Sequence, residues 1–180
     1  MSTPEIKTLS STVVYQNRWM TVREDRIVRA DGSPGIYGVV EKTDFAIIAA
    51  IEAGHVHLVE QYRYPIGMRR WELPQGTSES GETDPLMLAR AELREETGII
   101  AGRIEHVARL HEAYGYSTQA LNLFVATELE IGTPQLELEE QGLISRAFPI
   151  AEACEMICNG IITDAATVAC FGLLRMKGLL

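Results

Sequence analysis

The residues of this sequence best suited to chemistry are three glutamates in one short segment. Glu92 and Glu96 are four residues apart, and Glu95 adjoins them. On a helix, side chains at this spacing share one edge, where like charges repel unless a cation lies between them. Carboxylate oxygens are the ligands that Mg²⁺ prefers. The spacing is therefore typical of a divalent-metal site, and equally of an acidic helix face in solvent.

The segment around these glutamates predicts a helix with both ends marked. Asp84 is a favourable N-cap, and Pro85 suits the first helical position. Gly98 suits the left-handed residue just past the C-terminal end. One arc of the helix is predicted to face a core and holds Leu86, Ala89, Leu93 and Thr97.

The stretch 71–99 resembles the Nudix box, Gly-x5-Glu-x7-Arg-Glu-apolar-x-Glu-Glu-x-Gly-apolar. The matching residues are Gly76, Glu82, Glu92, Leu93, Glu95, Glu96, Gly98 and Ile99. The sequence departs from this pattern twice. One extra residue separates Glu82 from the helix, and Ala91 stands where the box has an arginine. In the family that arginine holds a glutamate of the helix, so the metal ligands are intact while part of their support is missing.

The resemblance implies hydrolysis of a pyrophosphate bond with Mg²⁺ or Mn²⁺ as cofactor. The implied metal ligands are Glu92, Glu96, Glu95, the carbonyl of Gln75 and, directly or through water, Glu82. The resemblance also implies a catalytic base on an acidic loop before the last strand, residues 132–142. Counting back from that strand favours Glu140, with Glu139 second.

Further residues are predicted to contact the substrate: Arg63, Arg70, Trp71, Tyr114 and Tyr116. Arg63 matches a family arginine that contacts phosphate, whereas Arg69 and Arg70 both add positive charge and the sequence does not choose between them. An aromatic ring such as that of Tyr114 or Tyr116 can stack on a base or sugar, or it can pack on a sheet edge. ADP-ribose-specific members carry a proline in this neighbourhood, and its absence here weakens strict ADP-ribose specificity.

The composition limits the classes of partner. The 180 residues carry a net charge of −9 and are 46% hydrophobic, which predicts a substantial core and argues against binding to nucleic acid or a membrane surface. No apolar run approaches the roughly 18 residues of a membrane span, and the first ten residues are too polar for a signal peptide. The three cysteines indicate buried thiols in a reducing cytoplasm.

The predicted fold is an α/β Nudix-like α/β/α sandwich with a mixed sheet. An N-terminal antiparallel β unit, residues 1–42, precedes a catalytic domain, residues 43–180, and residues 1–10 are predicted to be a loose terminus. Predicted strands are 12–16, 20–29, 36–41, 45–51, 55–63, 103–113, 119–129 and 143–150, and predicted later helices are 150–159 and 165–177. By resemblance the N-terminal unit joins two subunits into a homodimer; the alternative is a self-contained sheet on a monomer.

These features favour one function over two alternatives. The favoured function is hydrolysis of nucleoside diphosphate sugars, such as ADP-ribose or GDP-mannose, to a nucleoside monophosphate and a sugar phosphate. One alternative is hydrolysis of a nucleoside triphosphate or dinucleoside polyphosphate. The other is a Nudix-fold sensor that binds a nucleotide sugar without cleaving it, which the intact Glu92, Glu95 and Glu96 set argues against because a sensor needs no such ligands.

Overall fold

The computed structural model describes residues 4–78, 83–136 and 140–180. Its strands are β1 (Ile6–Gln16), β2 (Thr21–Arg29), β3 (Pro34–Glu41), β4 (Phe45–Glu52), β5 (His55–Arg63), β6 (Met68–Glu72), β7 (Gln75–Thr77), β8 (Ile99–His111), β9 (Ala120–Ile131) and β10 (Ile144–Pro149). Its helices are α1 (Pro85–Thr97), α2 (Ile150–Cys158) and α3 (Ala165–Met176), and a short 3-10 turn spans Tyr64–Ile66.

The first three strands form a separate antiparallel sheet in the order β1-β2-β3. Gly32 adopts a φ of 84° in the predicted turn between β2 and β3, a conformation that glycine takes without strain. The prediction of a loose terminus is wrong for residues 6–10, since β1 begins at Ile6, which pairs with Arg29. These residues bury no apolar face, so no local pattern marks the start of β1, and its order comes from backbone pairing with β2.

A larger mixed sheet runs β10-β5-β4-β9-β8, with β6 paired to β5 and β7 paired to β4. β4 and β9 are parallel, whereas the other pairs are antiparallel. The central strand β4 is apolar on both faces: Ile47 contributes to one buried cluster and Ile48 to the other. A strand covered on both faces is what its continuous apolar sequence predicts.

Helices cover both faces of this sheet, so the predicted α/β/α sandwich is confirmed. α1 buries Ala89 and Leu93 on one face, and α2 and α3 bury Met156 and Leu174 on the other. No helix in the described ranges is long and apolar enough to cross a membrane.

α1 has the predicted ends but not all of the predicted inner face. The Asp84 carboxylate accepts hydrogen bonds from the N–H groups of Leu86 and Met87, and Gly98 has a φ of 74°. Leu86, however, is 38% exposed, whereas Leu88 is 8% exposed and takes its place in the core. The assignment of Leu86 to the core is therefore wrong: the helix is rotated so that its glutamate edge also turns inward.

The loop of residues 113–118, which joins β8 to β9, forms hydrogen bonds with β3 of the smaller sheet. The N–H of Val40 in β3 donates to the carbonyl of Tyr116 at 2.8 Å, and the N–H of Thr118 donates to the carbonyl of Val40 at 3.0 Å. The Tyr37 hydroxyl also donates to the Gly115 carbonyl at 2.8 Å. These bonds hold the N-terminal sheet beside the loop that joins β8 to β9 of the larger sheet.

Candidate active site

Three carboxylates from two elements converge on one point. Glu92 and Glu96 project from α1, and Glu140 projects from the turn before β10. One carboxylate oxygen from each lies within 4.8 Å of the others, a spacing that one metal ion can span. The structure thus brings together two predicted metal ligands and the predicted base.

Glu96 is the most buried member of this cluster, with 1% of its surface exposed. The backbone N–H of Gln75 donates to its Oε2 atom at 3.0 Å. Burial raises the pKa of Glu96 well above its usual value, and repulsion from Glu92 and Glu140 adds to that rise. A divalent cation would relieve both effects, so the residues present fit the metal that the sequence implies.

Strand β7 shapes the other side of the cluster. A Cβ on Gly76 would collide with the carboxylate of Glu92, so a larger residue would displace that carboxylate from its present position. Gln75 pairs with Ile47 of β4, while the N–H of Ile48 donates to the Pro74 carbonyl. The Gln75 N–H and C=O therefore point away from β4 towards α1, the direction that a ligand role for its carbonyl requires.

The carboxylates form one wall of a cleft of about 340 Å³. The residues lining it are Arg18, Trp19, Lys42, Thr43, Gln61, Arg63, Gln75, Gly76, Thr77, Ser78, Glu92, Glu96 and Glu140. Cations and acids thus face the same space in a chain whose net charge is −9. This local arrangement allows an acidic protein to accept an anionic ligand.

Arg63 is held at this cleft by a buried carboxylate. Its Nε donates to Oε2 of Glu72 at 3.2 Å, and its Nη2 lies 2.6 Å from Oε1. Glu72 is 2% exposed; burial raises its pKa, while the charge of Arg63 lowers it. This two-point contact orients the guanidinium plane, and 39% of the Arg63 side chain remains exposed to the cleft and solvent.

The cleft also contains residues that sequence reasoning missed. Arg18 and Trp19 reach the cleft from the turn between β1 and β2. The Asn17 side-chain oxygen closes this turn by accepting hydrogen bonds from the N–H groups of Trp19 and Met20. The Arg18 guanidinium lies 4.2 Å from the centroid of the Trp19 ring. Trp19 is 55% exposed. The available signal was a large aromatic side chain in a polar turn, where burial does not explain it.

Several predicted substrate contacts do not line this cleft. Trp71 packs edge-on against Phe148, with ring centroids 4.8 Å apart, and belongs to the core. Arg70 lines a neighbouring cavity with Glu72 and Asp164. Tyr114 and Tyr116 are 84% and 59% exposed and lie on the loop that binds β3. The placement of these four residues within one chain does not support contact with a substrate in this cleft. Their roles in substrate binding stay predictions.

The remaining predicted ligands and the alternative base are Glu95, Glu82 and Glu139. Glu95 is partly exposed, and its backbone carbonyl accepts the N–H of Gln135 at 2.9 Å. Glu82 and Glu139 lie outside the described residues. Their predicted roles as a metal ligand and an alternative base are untested.

The position of the missing box arginine is partly exposed. Ala91 lines a shallow apolar groove between α1 and β8. The neighbouring Arg90 does not substitute for the arginine, because its Nη1 donates to the Ala101 carbonyl of β8 at 3.0 Å. The α1 glutamates are supported instead from β7, through the Gln75 N–H and the space above Gly76.

Comparison with known proteins decides the family. A family model of the NUDIX domain matches residues 41–161. This chain belongs to the Nudix family. A second model, the nucleoside diphosphate sugar hydrolase N-terminal domain, matches residues 6–40 of the Nudix chain. The resemblance inferred from the residues of the box is confirmed.

Relatives of this Nudix protein cover most of its length. An ADP-ribose pyrophosphatase of Mycobacterium tuberculosis is 32% identical over 94% of this chain and 83% of that protein. An ADP-ribose pyrophosphatase of Bacillus subtilis is 24% identical over 98% and 96%. A crystal structure of an ADP compounds hydrolase superposes with a TM-score of 0.85 at 21% identity, covering 100% of both chains.

These findings identify the class of reaction. The protein is a Nudix pyrophosphohydrolase of the nucleoside diphosphate sugar hydrolase branch. Nudix hydrolases generally use divalent metals, and the Glu92, Glu96 and Glu140 cluster is the group among the described residues that could hold one.

Proposed function

We propose that this Nudix enzyme hydrolyses the pyrophosphate bond of ADP-ribose in preference to other nucleoside diphosphate sugars, giving AMP and ribose 5-phosphate. The observation that carries this proposal is the cluster of Glu92, Glu96 and Glu140 in an open cleft. The similarity to ADP-ribose pyrophosphatases along almost the whole chain supports the choice of substrate.

The metal would be held by residues of α1 and β7. Glu92 and Glu96 supply carboxylates, the Gln75 carbonyl is oriented to join them, and Glu95 and Glu82 are the further predicted ligands. Mg²⁺, or Mn²⁺ in its place, neutralises phosphate charge and acidifies a bound water when present. The burial of Glu96 keeps this carboxylate fixed and away from bulk solvent.

Glu140 is the proposed base. It comes from a different element than the α1 ligands, and it lies within 4.8 Å of Glu92 and Glu96. A carboxylate at this distance can accept the proton of a water held among the three groups. The proton would move from that water to a carboxylate oxygen of Glu140 as the water oxygen attacks one phosphorus of the pyrophosphate. The bond from that phosphorus to the bridging oxygen would break, and the other half of the substrate would leave as the second phosphate product.

Three residues of the cleft would bind the phosphates and the base of the substrate. Arg63, fixed by Glu72, presents its guanidinium to phosphate oxygens. Trp19 presents an exposed ring on which a nucleobase can stack, and the Arg18 guanidinium beside it favours a ligand with a negative phosphate.

Replacing Trp19 with alanine should raise KM more than it lowers kcat, since stacking acts on binding.

The resemblance to the nucleoside diphosphate sugar hydrolase branch also supports proposals for the oligomeric state and the cellular location. We propose a homodimer joined through the N-terminal sheet, residues 1–42, beside the catalytic domain, residues 43–180. Cys154, Cys158 and Cys170 are free thiols, but only Cys170 is buried, so the prediction of buried thiols is wrong for the exposed Cys158. Free thiols are compatible with a cytoplasmic protein.

The deciding experiment is product analysis by chromatography on a panel of substrates with Mg²⁺. ADP-ribose should give the highest kcat/KM, GDP-mannose a lower value, and nucleoside triphosphates little turnover. A nucleoside triphosphate with the highest kcat/KM would remove the sugar branch and leave only the family. Binding of ADP-ribose without turnover in Mg²⁺ or Mn²⁺ would instead show a sensor.

A further inference from the structure

Arg69 reaches across strand β5 to the turn that carries Glu140. It lies on β6, and β5 separates β6 from β10. Its Nε donates to the Glu60 carboxylate at 2.9 Å, and its Nη2 donates both to the Glu60 carbonyl at 2.9 Å and to the Gly142 carbonyl at 2.7 Å. The Arg69 guanidinium thus joins β5 to the turn just before β10.

The Gly142 carbonyl belongs to a tight turn that begins at Glu140. The N–H of Leu143 donates to the Glu140 carbonyl at 2.9 Å, and Gly142 has a φ of 84°. Within such a turn the peptide planes are coupled, so a bond to the Gly142 carbonyl restrains the Glu140 backbone two residues earlier. Leu143, at 7% exposed, anchors the turn in the core.

The other end of the same loop is fixed to α1. The Gly132 N–H donates to the Gly98 carbonyl at 3.0 Å, and the Gln135 N–H donates to the Glu95 carbonyl at 2.9 Å. Glu92 and Glu96 lie on this same helix. The loop therefore spans from the metal-ligand helix to the Arg69 contact, and Glu140 lies next to the Arg69 end.

We propose that Arg69 is a positioning residue that holds the Glu140 turn and so keeps the Glu140 carboxylate next to Glu92 and Glu96. Arg69 does not line the cleft, so it acts through Glu140 and not on the substrate. The guanidinium suits this role because its fixed fork serves a carboxylate and two carbonyls at once, which the single ammonium group of lysine cannot do in the same geometry. The inference rests on the proposed role of Glu140.

The experiment is a double-mutant cycle on the full-length protein with Arg69→Ala and Glu140→Gln. The first readout is Mn²⁺ affinity, measured by calorimetry without substrate, and the second is kcat with ADP-ribose. Loss of a residue that orients a metal-site group typically costs about 10- to 100-fold. Arg69→Ala should lower kcat within that range while Mn²⁺ affinity changes little, because Glu140 is the proposed base and not one of the proposed metal ligands; it should lower kcat no further in the Glu140→Gln background.

Further variants separate positioning from general stability. Arg69→Lys should recover the ion pair with Glu60 but only part of kcat, because it loses the fork to the Gly142 carbonyl. Arg103→Ala is the matched control, since it removes an exposed strand arginine and its ion pair with Glu105; it should leave both readouts unchanged. Hydrogen exchange at the Leu143 amide should be faster in Arg69→Ala and unchanged in Glu140→Gln.

Two results would overturn the proposal. Equal losses from Arg69→Ala in the wild-type and Glu140→Gln backgrounds would show that Arg69 acts independently of Glu140. Wild-type kcat in Arg69→Ala would show that the turn needs no such contact. Because hydrogen exchange needs no turnover, failure of the ADP-ribose assignment would be visible separately, as faster exchange at the Leu143 amide in Arg69→Ala with no hydrolysis of ADP-ribose by the wild type.

Discussion

At the scale of single residues, the site consists of carboxylates placed where their charges are unfavourable without a cation. Glu96 is almost fully buried beside Glu92 and Glu140, and burial and repulsion raise its pKa. Groups in such an environment weaken the fold and serve function. The residue-scale predictions test this division.

Replacing Glu96 with glutamine should separate stability from activity. The change keeps the shape of the side chain and removes a buried charge, so metal-free protein should melt at the same temperature as wild type or higher. Turnover should fall by orders of magnitude, because charge stabilisation by a metal is worth several kcal/mol. Glu155→Gln, at an exposed position on α2, is the control for both. Near wild-type turnover of Glu96→Gln at modest Mg²⁺ would remove α1 as the metal site.

Replacement of Glu140 tests the base. Glu140→Gln should lose about a hundred- to ten-thousandfold in kcat, the usual value of a general base, with little change in KM. Glu137→Gln should be nearly silent and Glu139→Gln intermediate; both positions lie outside the described residues. Steady-state kinetics of the three variants are the measurement. A large loss confined to Glu139→Gln would move the base by one residue.

His57 provides a pH dependence away from the site. Burial lowers its pKa, Glu52 opposes this, and His55 adds to it. The imidazole of His57 therefore binds a proton more readily in the unfolded chain than in the folded one. The contribution of the neutral ring to the free energy of unfolding is complete above the ordinary pKa of histidine, and it is lost as the pH falls below that value. His57→Gln should lose less stability than wild type between about pH 7.5 and about pH 5.5 in urea titrations. Equal slopes for wild type and His57→Gln would contradict the assignment.

At the scale of elements, α1 carries the proposed metal ligands, and its C-terminal end anchors the loop that carries the proposed base. Gly98 ends the helix with a φ of 74°, and a Cβ there would lie 2.6 Å from the Gly132 carbonyl oxygen. The helix end thus needs glycine for two reasons, namely its backbone conformation and the close approach of the loop.

Gly98→Ala should therefore destabilise more than a left-handed glycine in open space. Gly160, with a φ of 70° and nothing within 4 Å of its would-be Cβ, is the matched position. Gly160→Ala should cost about 1–2 kcal/mol for backbone conformation alone. Gly98→Ala should add about 1–3 kcal/mol for the steric clash. Urea denaturation measures both, and equal costs would show that the loop simply moves aside.

At the scale of the whole molecule, two sheets contribute to one cleft. Trp19 lies in the turn between β1 and β2 of the N-terminal sheet, whereas the carboxylates lie on α1 and in the turn before β10. All eleven residues of β1 are exposed within one chain, including Val13 at 56%. Apolar side chains on an uncovered strand are typical of a subunit interface.

The proposed homodimer gives the whole-molecule prediction. Sedimentation should show a dimer for wild type and a monomer for Val13→Glu, because the charge would be buried in the interface. Ile131→Glu, at 67% exposed on β9, is the control and should remain dimeric. A wild-type monomer at all accessible concentrations would leave the N-terminal sheet as a self-contained unit.

The sequence by itself determined the features that depend on local chemistry and short spacing. The ends of α1 follow from Asp84 and Gly98, and the Glu92–Glu96 edge follows from helical periodicity. The box residues sufficed to identify the family, and the apolar strand β4 predicted a sheet covered on both faces.

Only the tertiary structure decided which distant groups meet. Glu140 reaches Glu92 and Glu96 because α1 packs next to β10, and sequence register could only rank it above Glu139. Trp19 in the cleft, Trp71 in the core and the reach of Arg69 to Gly142 all depend on strand order and helix rotation. No local pattern encodes these contacts, because each is fixed by packing between elements far apart in the chain.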